Sequence, residues 1–394
     1  MTITGGQSMT APFEGLRIVD FTRILSGPYC TMFFGDMGAE VIKIEPPQGD
    51  DTRQWGPPFV GGESAYFLSV NRNKKSVVLD LKTEEGLKAI KQLIAQADVV
   101  VENFRPGTLD RLGLGFETLV SLNPHIILAS ISGFGQTGPY RDEPGYDVIA
   151  QGMGGMMSIT GESGRPPVKP GLSLADVSAG MWAIIGILTA IHRRHSDPGP
   201  QWIDISLLES MMAFHTYAAG NYFATGVNPV PLGNAHPNIC PYQAFAARDG
   251  YFNLAIGNDR LWEIFCRAVG HEEWIADSRF RTNQDRVTHR SELIPILEAL
   301  FQTRSVSHWV SLLRQAKVPT GPIYQFSELY HDPYVTDRKM MFSLEHSTAG
   351  KVTQVALPVK FVTHPVDPKD YSAPPGLGQH TSQVLKDRGI SPRE

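Results

Sequence analysis

The sequence lacks the features that mark several large protein classes. It holds only three cysteines in 394 residues, Cys30, Cys240 and Cys266, with no C-x-x-C and no paired spacing. A disulfide-stapled scaffold is thereby excluded and a reducing compartment favoured, the cytoplasm of a bacterium or the mitochondrial matrix of a eukaryote. Basic excess is missing too: 35 Lys and Arg against 40 Asp and Glu leave a net charge of −5. No nucleic-acid partner is expected, because nothing is left over to neutralise phosphates. The longest apolar runs, such as 181–191, fall short of the ~20 residues a membrane helix needs, so no membrane partner is expected either. The first residues, MTITGGQSMTAP, have neither the basic region nor the apolar core of a secretory signal, and 1–12 reads as a disordered tail. There is no G-x-x-x-x-G-K-[ST], H-E-x-x-H or G-x-S-x-G. The histidines are scattered without a third ligand at metal spacing, so no metal is expected.

What is present is an alternation of strand and helix patterns. LRIVDF (16–21), EVIKIE (40–45), SVVLDLK (76–82), DVVVENF (98–104) and HIILASIS (125–132) read as strands. YCTMFFGDMG (29–38), GLKAIKQLIAQA (86–97) and LDRLGLGFETLVSLN (109–123) read as helices between them. That order implies an α/β fold, Rossmann-like, with a parallel sheet covered on both faces. In such sheets ligands sit beyond the C-terminal strand ends, where 23–26, 103–107 and 133–138 fall. A strand running into a long helix is expected over 201–223, then a Pro/Gly/Asn-rich linker at 226–240. A change of character follows: YQAFAARDGYFNLAI (242–256) reads as a hairpin, with helical patterns at 259–268 and 290–315. These place a large domain at 13–225, a smaller α+β domain at 241–325, and a return to the large domain over 326–394.

One stretch stands out, KPGLSLADVSAGMWAIIGILTAIHRRH (169–195). A single acid, Asp176, precedes a run apolar on every side and then a basic cluster, the pattern of a buried helix. Asp176 is read either as the helix N-cap or as a buried carboxylate aimed into a cleft, available as a nucleophile. GFGQTG (133–138) matches a dinucleotide fingerprint, but Pro139 and Pro144 prevent a helix from opening there. Arg72, Lys74 and Lys75, and Arg105 and Arg111, cluster near strand ends. They read as solvated surface or as an edge for an anionic, phosphate-bearing ligand. Asn103 and Phe104 could contact an adenine or pantetheine group. Glycines are dense at 152–164 and at 233–236, where His236 could orient a carboxylate.

DFTRILSGPYCTM, GAEVIKIE, SVNRNKKSVVLDLK, VENFRPGTLDRLGLG, GYDVIAQ, the Asp176 segment, PYQAFAARDG, VPTGPI and LGQHT together resemble the class III coenzyme A transferases, in order, from about residue 13 to 386. TRQWGPPFVG, SVNRNKKS and GNAH…PYQAF look most like the succinate–hydroxymethylglutarate (glutarate) branch, which acts on dicarboxylates. The resemblance implies an interlocked homodimer with its active site between subunits, and coenzyme A thioesters as substrates with no prosthetic group. It implies Asp176 as nucleophile, through an aspartyl anhydride and an aspartyl-CoA thioester. Leu25, Ser26, Leu79, Lys82, Asn103, Phe104, Arg111, Tyr146 and Asp147 would line the coenzyme A site, and Gly233 and His236 the substrate site. Leu25 stands where the formyl-CoA enzyme has a glutamine, which argues against oxalate or formate. Pro46 and Pro144 replace basic coenzyme-contacting residues, so Arg72 and Lys74 are expected to meet the phosphates. Two other readings are a 2-methylacyl-CoA racemase of the same fold and a non-catalytic acyl-CoA binding protein.

Overall fold

Strands apolar on both faces need cover on both sides, and the computed structural model, which describes residues 11–363 and 365–390, supplies it. Residues 1–10 of the expected tail lie outside that range. The chain forms two units. The first takes the residues up to Met156, Lys169–Ala224 and those from Tyr334 onward. The elements that build its main sheet and site are β1 (Arg17–Asp20), α1 (Ser26–Asp36), β2 (Glu40–Glu45), β3 (Lys74–Val78), α2 (Glu84–Ile94), β4 (Val99–Glu102), β5 (Ile127–Ser132), α3 (Asp147–Met153), α4 (Leu174–Arg193) and β6 (Gln201–Ser206). The strands form one parallel sheet in the order β3-β2-β1-β4-β5-β6. Val19 pairs with Ile42 on one side and Val100 on the other. Strand order reverses between β1 and β4, which opens a crevice at their C-terminal ends.

Side-chain alternation divides the core between the two faces. Ile18, Val41, Val99 and Val101 pack against α1 and α4. Val19, Ile42, Ile44 and Val100 pack against α2, with Val384 and Leu385 near the chain's end. A strip of small residues on α4, Ala175, Ala179, Ala183 and Ala190, lets that helix lie close to the sheet. Gly180 lets α4 approach α1 as well: a Cβ there would lie 2.5 Å from the Ser26 carbonyl oxygen.

The opposite face of α4 corrects the expectation of burial on every side. Met181, Trp182 and Ile185 are 47 %, 43 % and 48 % exposed. At 20 residues α4 is also long and apolar enough to cross a membrane by length and composition, because the helix begins before the run at 181–191. Here its small-residue face is spent on the sheet. Other boundaries move for local reasons. The helix expected over 109–123 splits into Thr108–Arg111 and Phe116–Leu122 around Gly113, whose φ is +67°. The long helix after β6 breaks into Leu207–Met212 and Thr216–Thr225. No helix opens at GFGQTG; the next is α3.

The second unit comprises Met157–Val168 and Thr225–Pro333. β7 (Tyr242–Ala247), β8 (Gly250–Ala255) and β9 (Thr320–Pro322) form an antiparallel sheet in the order β9-β8-β7. Its core is aromatic: the Phe301 ring lies 5.0 Å from those of both Phe245 and Phe252. Residues 157–168, expected in the large domain, join this unit. Gly161 accepts a hydrogen bond from the Gly233 N–H at 2.7 Å, which tacks the segment to the linker. All three cysteines are free and buried.

Candidate active site

The crevice at the strand-order reversal holds a cleft of about 170 Å³. Arg23, Ile24 and Ser26 enter it from the β1–α1 loop, Asn103, Phe104 and Arg105 from the end of β4, and Ser132 and Gly133 from the end of β5. Glu143, Tyr146, Asp176 and Leu207 also line it. Tyr146 and Asp147 are brought beside β5 by a glycine-on-glycine contact. A Cβ on Gly133 would lie 2.6 Å from the Gly145 Cα, so neither position has room for a side chain.

Asp176 is not the helix cap. It is the third residue of α4, and the cap residue, Ser173, makes no side-chain capping bond. The capping carboxylate comes from Asp147, whose Oδ1 accepts from the N–H of Ala175 at 2.8 Å and of Asp176 at 3.4 Å. Gln151 Nε2 donates to the other oxygen of Asp147 at 2.7 Å and fixes its plane. Asp176 is therefore released from capping, and it lines the cleft. Burial, and then the charge of Asp147, push its pKa up to about 7. The helix dipole would lower it, so desolvation outweighs the dipole here. Tyr66, absent from the sequence reading, feels the same charges: burial, followed by Asp176, Asp147 and Asp50, pushes its hydroxyl up to about 12.

The two cations expected to meet phosphates are inside the protein. Arg72 and Lys74 are each 1 % exposed. Arg72 grips Asp36, with Nε 2.9 Å from Oδ1 and Nη2 2.6 Å from Oδ2, and Nη1 donates to Gln354 at 3.1 Å. Lys74 donates to the Pro28 carbonyl at 2.9 Å and to Asn71 at 3.0 Å, with Asp20 at 3.3 Å. A buried cation needs such partners, and these leave none of its charge for a ligand. Available cations lie elsewhere. Arg105 is exposed and lines the Asp176 cleft. Arg111 is exposed and donates to its neighbour Thr108. Arg141, absent from the sequence reading, converges with it: a Cβ on Gly107 would lie 3.4 Å from Arg111 Nη1 and 3.6 Å from Arg141 Nη2, while Arg141 Nη1 pairs with Asp142 at 2.9 Å on the solvent side.

Ser26, Asn103, Phe104 and Tyr146 share the cleft with Asp176, and Asp147 stands directly behind it. The amide of Asn103 is engaged internally. Its Oδ1 accepts from Arg23 N at 2.8 Å and its Nδ2 donates to Arg23 O at 2.7 Å. Leu25 lines a separate apolar cavity with Tyr29, Tyr66 and Val177. The Leu79 side chain belongs to the hydrophobic core and does not line the cleft. Lys82 sits in the turn before α2, its N–H bonded to Asp80. Gly233 and His236 belong to the second unit. There His236 accepts from Asn238 N at 3.1 Å, and burial beside Arg290 lowers its pKa. Among the described residues no group of three or more His, Cys, Asp and Glu side chains is placed to hold a metal.

A parallel sheet of this order, with a desolvated carboxylate in its crevice, is the architecture of α/β proteins that take ligands beyond the strand ends. The chain belongs to CoA-transferase family III, which it matches over residues 13–381. It is 42 % identical over 377 residues to the succinyl-CoA:glutarate CoA-transferase of Homo sapiens, covering 95 % of this chain and 86 % of that protein. It is 38 % identical over 389 residues to the acetyl-CoA:oxalate CoA-transferase of Acetobacter aceti, covering 98 % of each. The crystal structure of a CAIB/BAIF family protein from Brucella suis superposes with a TM-score of 0.86 at 39 % identity, over 96 % of this chain and all of that one.

Proposed function

We propose that this CoA-transferase moves coenzyme A from succinyl-CoA to a dicarboxylate of the glutarate type, with Asp176 as the nucleophile. The observation that carries the reading is a carboxylate with a pKa raised to about 7, unengaged as a cap and lining a strand-end cleft. Holding the groups together and desolvating them makes a weak nucleophile sufficient for a thioester.

An Asp176 oxygen attacks the thioester carbonyl; the C–S bond breaks, leaving a mixed anhydride and the coenzyme A thiolate. The thiolate then attacks the Asp176 carbonyl carbon and expels succinate, which leaves an aspartyl-CoA thioester. The acceptor carboxylate attacks that thioester to form a second anhydride and release the thiolate. The thiolate returns to the acceptor's carbonyl, giving the new acyl-CoA and restoring Asp176. No step needs an external oxidant or base. Arg105, Arg111 and Arg141 supply positive charge for the coenzyme's phosphates, in place of the buried Arg72 and Lys74.

The glutarate acceptor is favoured by the human relative. The Acetobacter aceti relative, named for oxalate, keeps oxalate in the assay beside it. The exposed apolar face of α4, with Met181, Trp182 and Ile185, supports a homodimer, which light scattering tests. Asp176→Ala is expected to abolish transfer from succinyl-CoA to every acid in a panel of glutarate, succinate, mesaconate, citramalate and oxalate, while keeping the wild-type circular dichroism. Residual transfer above a hundredth of wild type would remove Asp176 from the nucleophile's role. Hydroxylamine trapping at Asp176 in the presence of acyl-CoA separates a transferase from a binding protein. Hydrogen exchange at the substrate's α-carbon without an acceptor would instead favour a racemase.

A further inference from the structure

Within the Asp176 cleft one residue holds a backbone conformation foreign to its type. Ile24 has φ of +70°. That is the left-handed region, where a branched Cβ crowds the backbone. Five non-glycine residues among those described have positive φ, Ile24, Asn73, Thr216, Lys317 and Lys339, and of these only Ile24 lines the Asp176 cleft.

The means of holding it are visible. Every backbone polar atom from Thr22 N to Ile24 N is bonded to a side chain. Thr22 N donates to Asp20 at 2.8 Å and Thr22 O accepts from Lys43 at 2.7 Å. Asn103 takes both polar atoms of Arg23. Ile24 N donates to Asp50 at 3.3 Å, and Asp50 is paired with Lys43 at 2.9 Å, both fully buried. A clamp built this way over-determines the loop and can sustain strain. It accounts for how Ile24 stays left-handed, but a glycine at 24 would meet the same φ without strain. What the isoleucine adds is its side chain.

We propose that Ile24 is a specificity-determining residue of the transfer reaction, its side chain forming an apolar wall of the Asp176 cleft that keeps water from the acylated aspartate. The inference rests on the reading of Asp176 as the acyl acceptor. Water reaching the aspartyl-CoA thioester would attack its carbonyl carbon and release coenzyme A as the thiol with Asp176 as the free acid. Succinyl-CoA would then be hydrolysed without an acceptor.

The test compares wild type with Ile24→Gly, Ile24→Asn and Ile24→Val. Thermal midpoint, transfer from succinyl-CoA to glutarate, and thiol release without an acceptor are measured on each. Glycine and asparagine tolerate positive φ, so both variants are expected to keep or raise the midpoint. The same variants should lose about 10-fold in transfer and raise the ratio of hydrolysis to transfer by about 10-fold. Ile24→Val is expected to restore both rates to within about 3-fold of wild type. Glycine and asparagine variants with the wild-type ratio overturn the inference. So does a midpoint that falls in step with activity, or failure of both variants to fold, since the role would then be structural. Asp176→Ala measured alongside separates the two levels. Its retained activity would refute the nucleophile assignment, whereas an inactive Asp176→Ala with a wild-type-like Ile24→Gly refutes only the role of Ile24.

Discussion

Two sets of basic side chains flank the parallel sheet and serve opposite purposes, Arg72 and Lys74 at the start of β3 and Arg105 past the end of β4. Lys43, Arg72 and Lys74 lie in the interior, each held by a carboxylate within 3.3 Å and shut off from water. Arg105 and Arg111 lie on the rim, exposed, and Arg141 meets Arg111 at Gly107. Charge alone does not distinguish the sets, nor does pairing, since Arg141 meets Asp142 at 2.9 Å; burial does, because that pair is open to solvent. Strand alternation makes the point within two residues of β3: Lys74 is buried, while Lys75 is 43 % exposed and meets Glu40 at 2.7 Å.

The sharpest way to break this comparison is Arg72→Ala. It strands Asp36 in the interior, where burial already pushes the carboxyl's pKa up and Arg72 opposes that. A loss of about 3–5 kcal/mol in urea unfolding is expected; a loss below 1 kcal/mol would mean that the pair is solvated.

Burial of an acid gives the converse effect. Asp176 titrates near 7 in the fold against about 3.8 when exposed, so folding favours its protonated form. That contribution is fully present below about pH 4 and is lost as pH rises through 7. Asp176→Asn removes the cost and is expected to gain about 1–3 kcal/mol at pH 8 and nothing at pH 3, by urea unfolding at both. The same ionisation should appear in kinetics, with transfer at limiting acyl-CoA rising through about pH 7. Asp147→Asn keeps a capping oxygen but removes a charge, so the inflection should move to lower pH. An unmoved inflection would mean that Asp147's charge does not reach Asp176.

On the rim, Arg111→Ala and Arg141→Ala are each expected to raise KM for acyl-CoA by about 5–20-fold, with stability within about 0.5 kcal/mol of wild type. The same substitutions should leave KM for dephospho or truncated thioesters nearly unchanged. Equal effects on both substrates would move the phosphate site elsewhere. Smallest of all, Lys75→Ala should change stability by no more than about 0.5 kcal/mol, measured by thermal unfolding, and should leave KM alone.

Much of the fold could be read along the chain because its signals are local. EVIKIE forms its strand at the expected residues, Glu40–Glu45. Apolar spacing in GLKAIKQLIAQA marks a helix found at Glu84–Ile94. Asp176 stood out as a single acid at the head of an apolar run, and it lies in the first turn of α4. The roles that could not be read have non-local causes. Asp147 caps α4 from 28 residues away, and Asn103, which lines the cleft as expected, also ties down Arg23 from 80 residues away. Arg141 gave no signal, since nothing along the chain shows that it will meet Arg111. Ile24 gave none either, because isoleucine is an ordinary residue until its φ is known.

The sequence by itself determined the layered α/β fold, its family and the acid at the head of α4, because period, propensity and ordered motifs are properties of neighbouring residues. Tertiary structure decided which charges are buried and which face solvent, which aspartate caps and which is released, and which side chain is held against its preference in the Asp176 cleft. These outcomes depend on desolvation and on contacts between distant segments, which exist only after the sheet has formed.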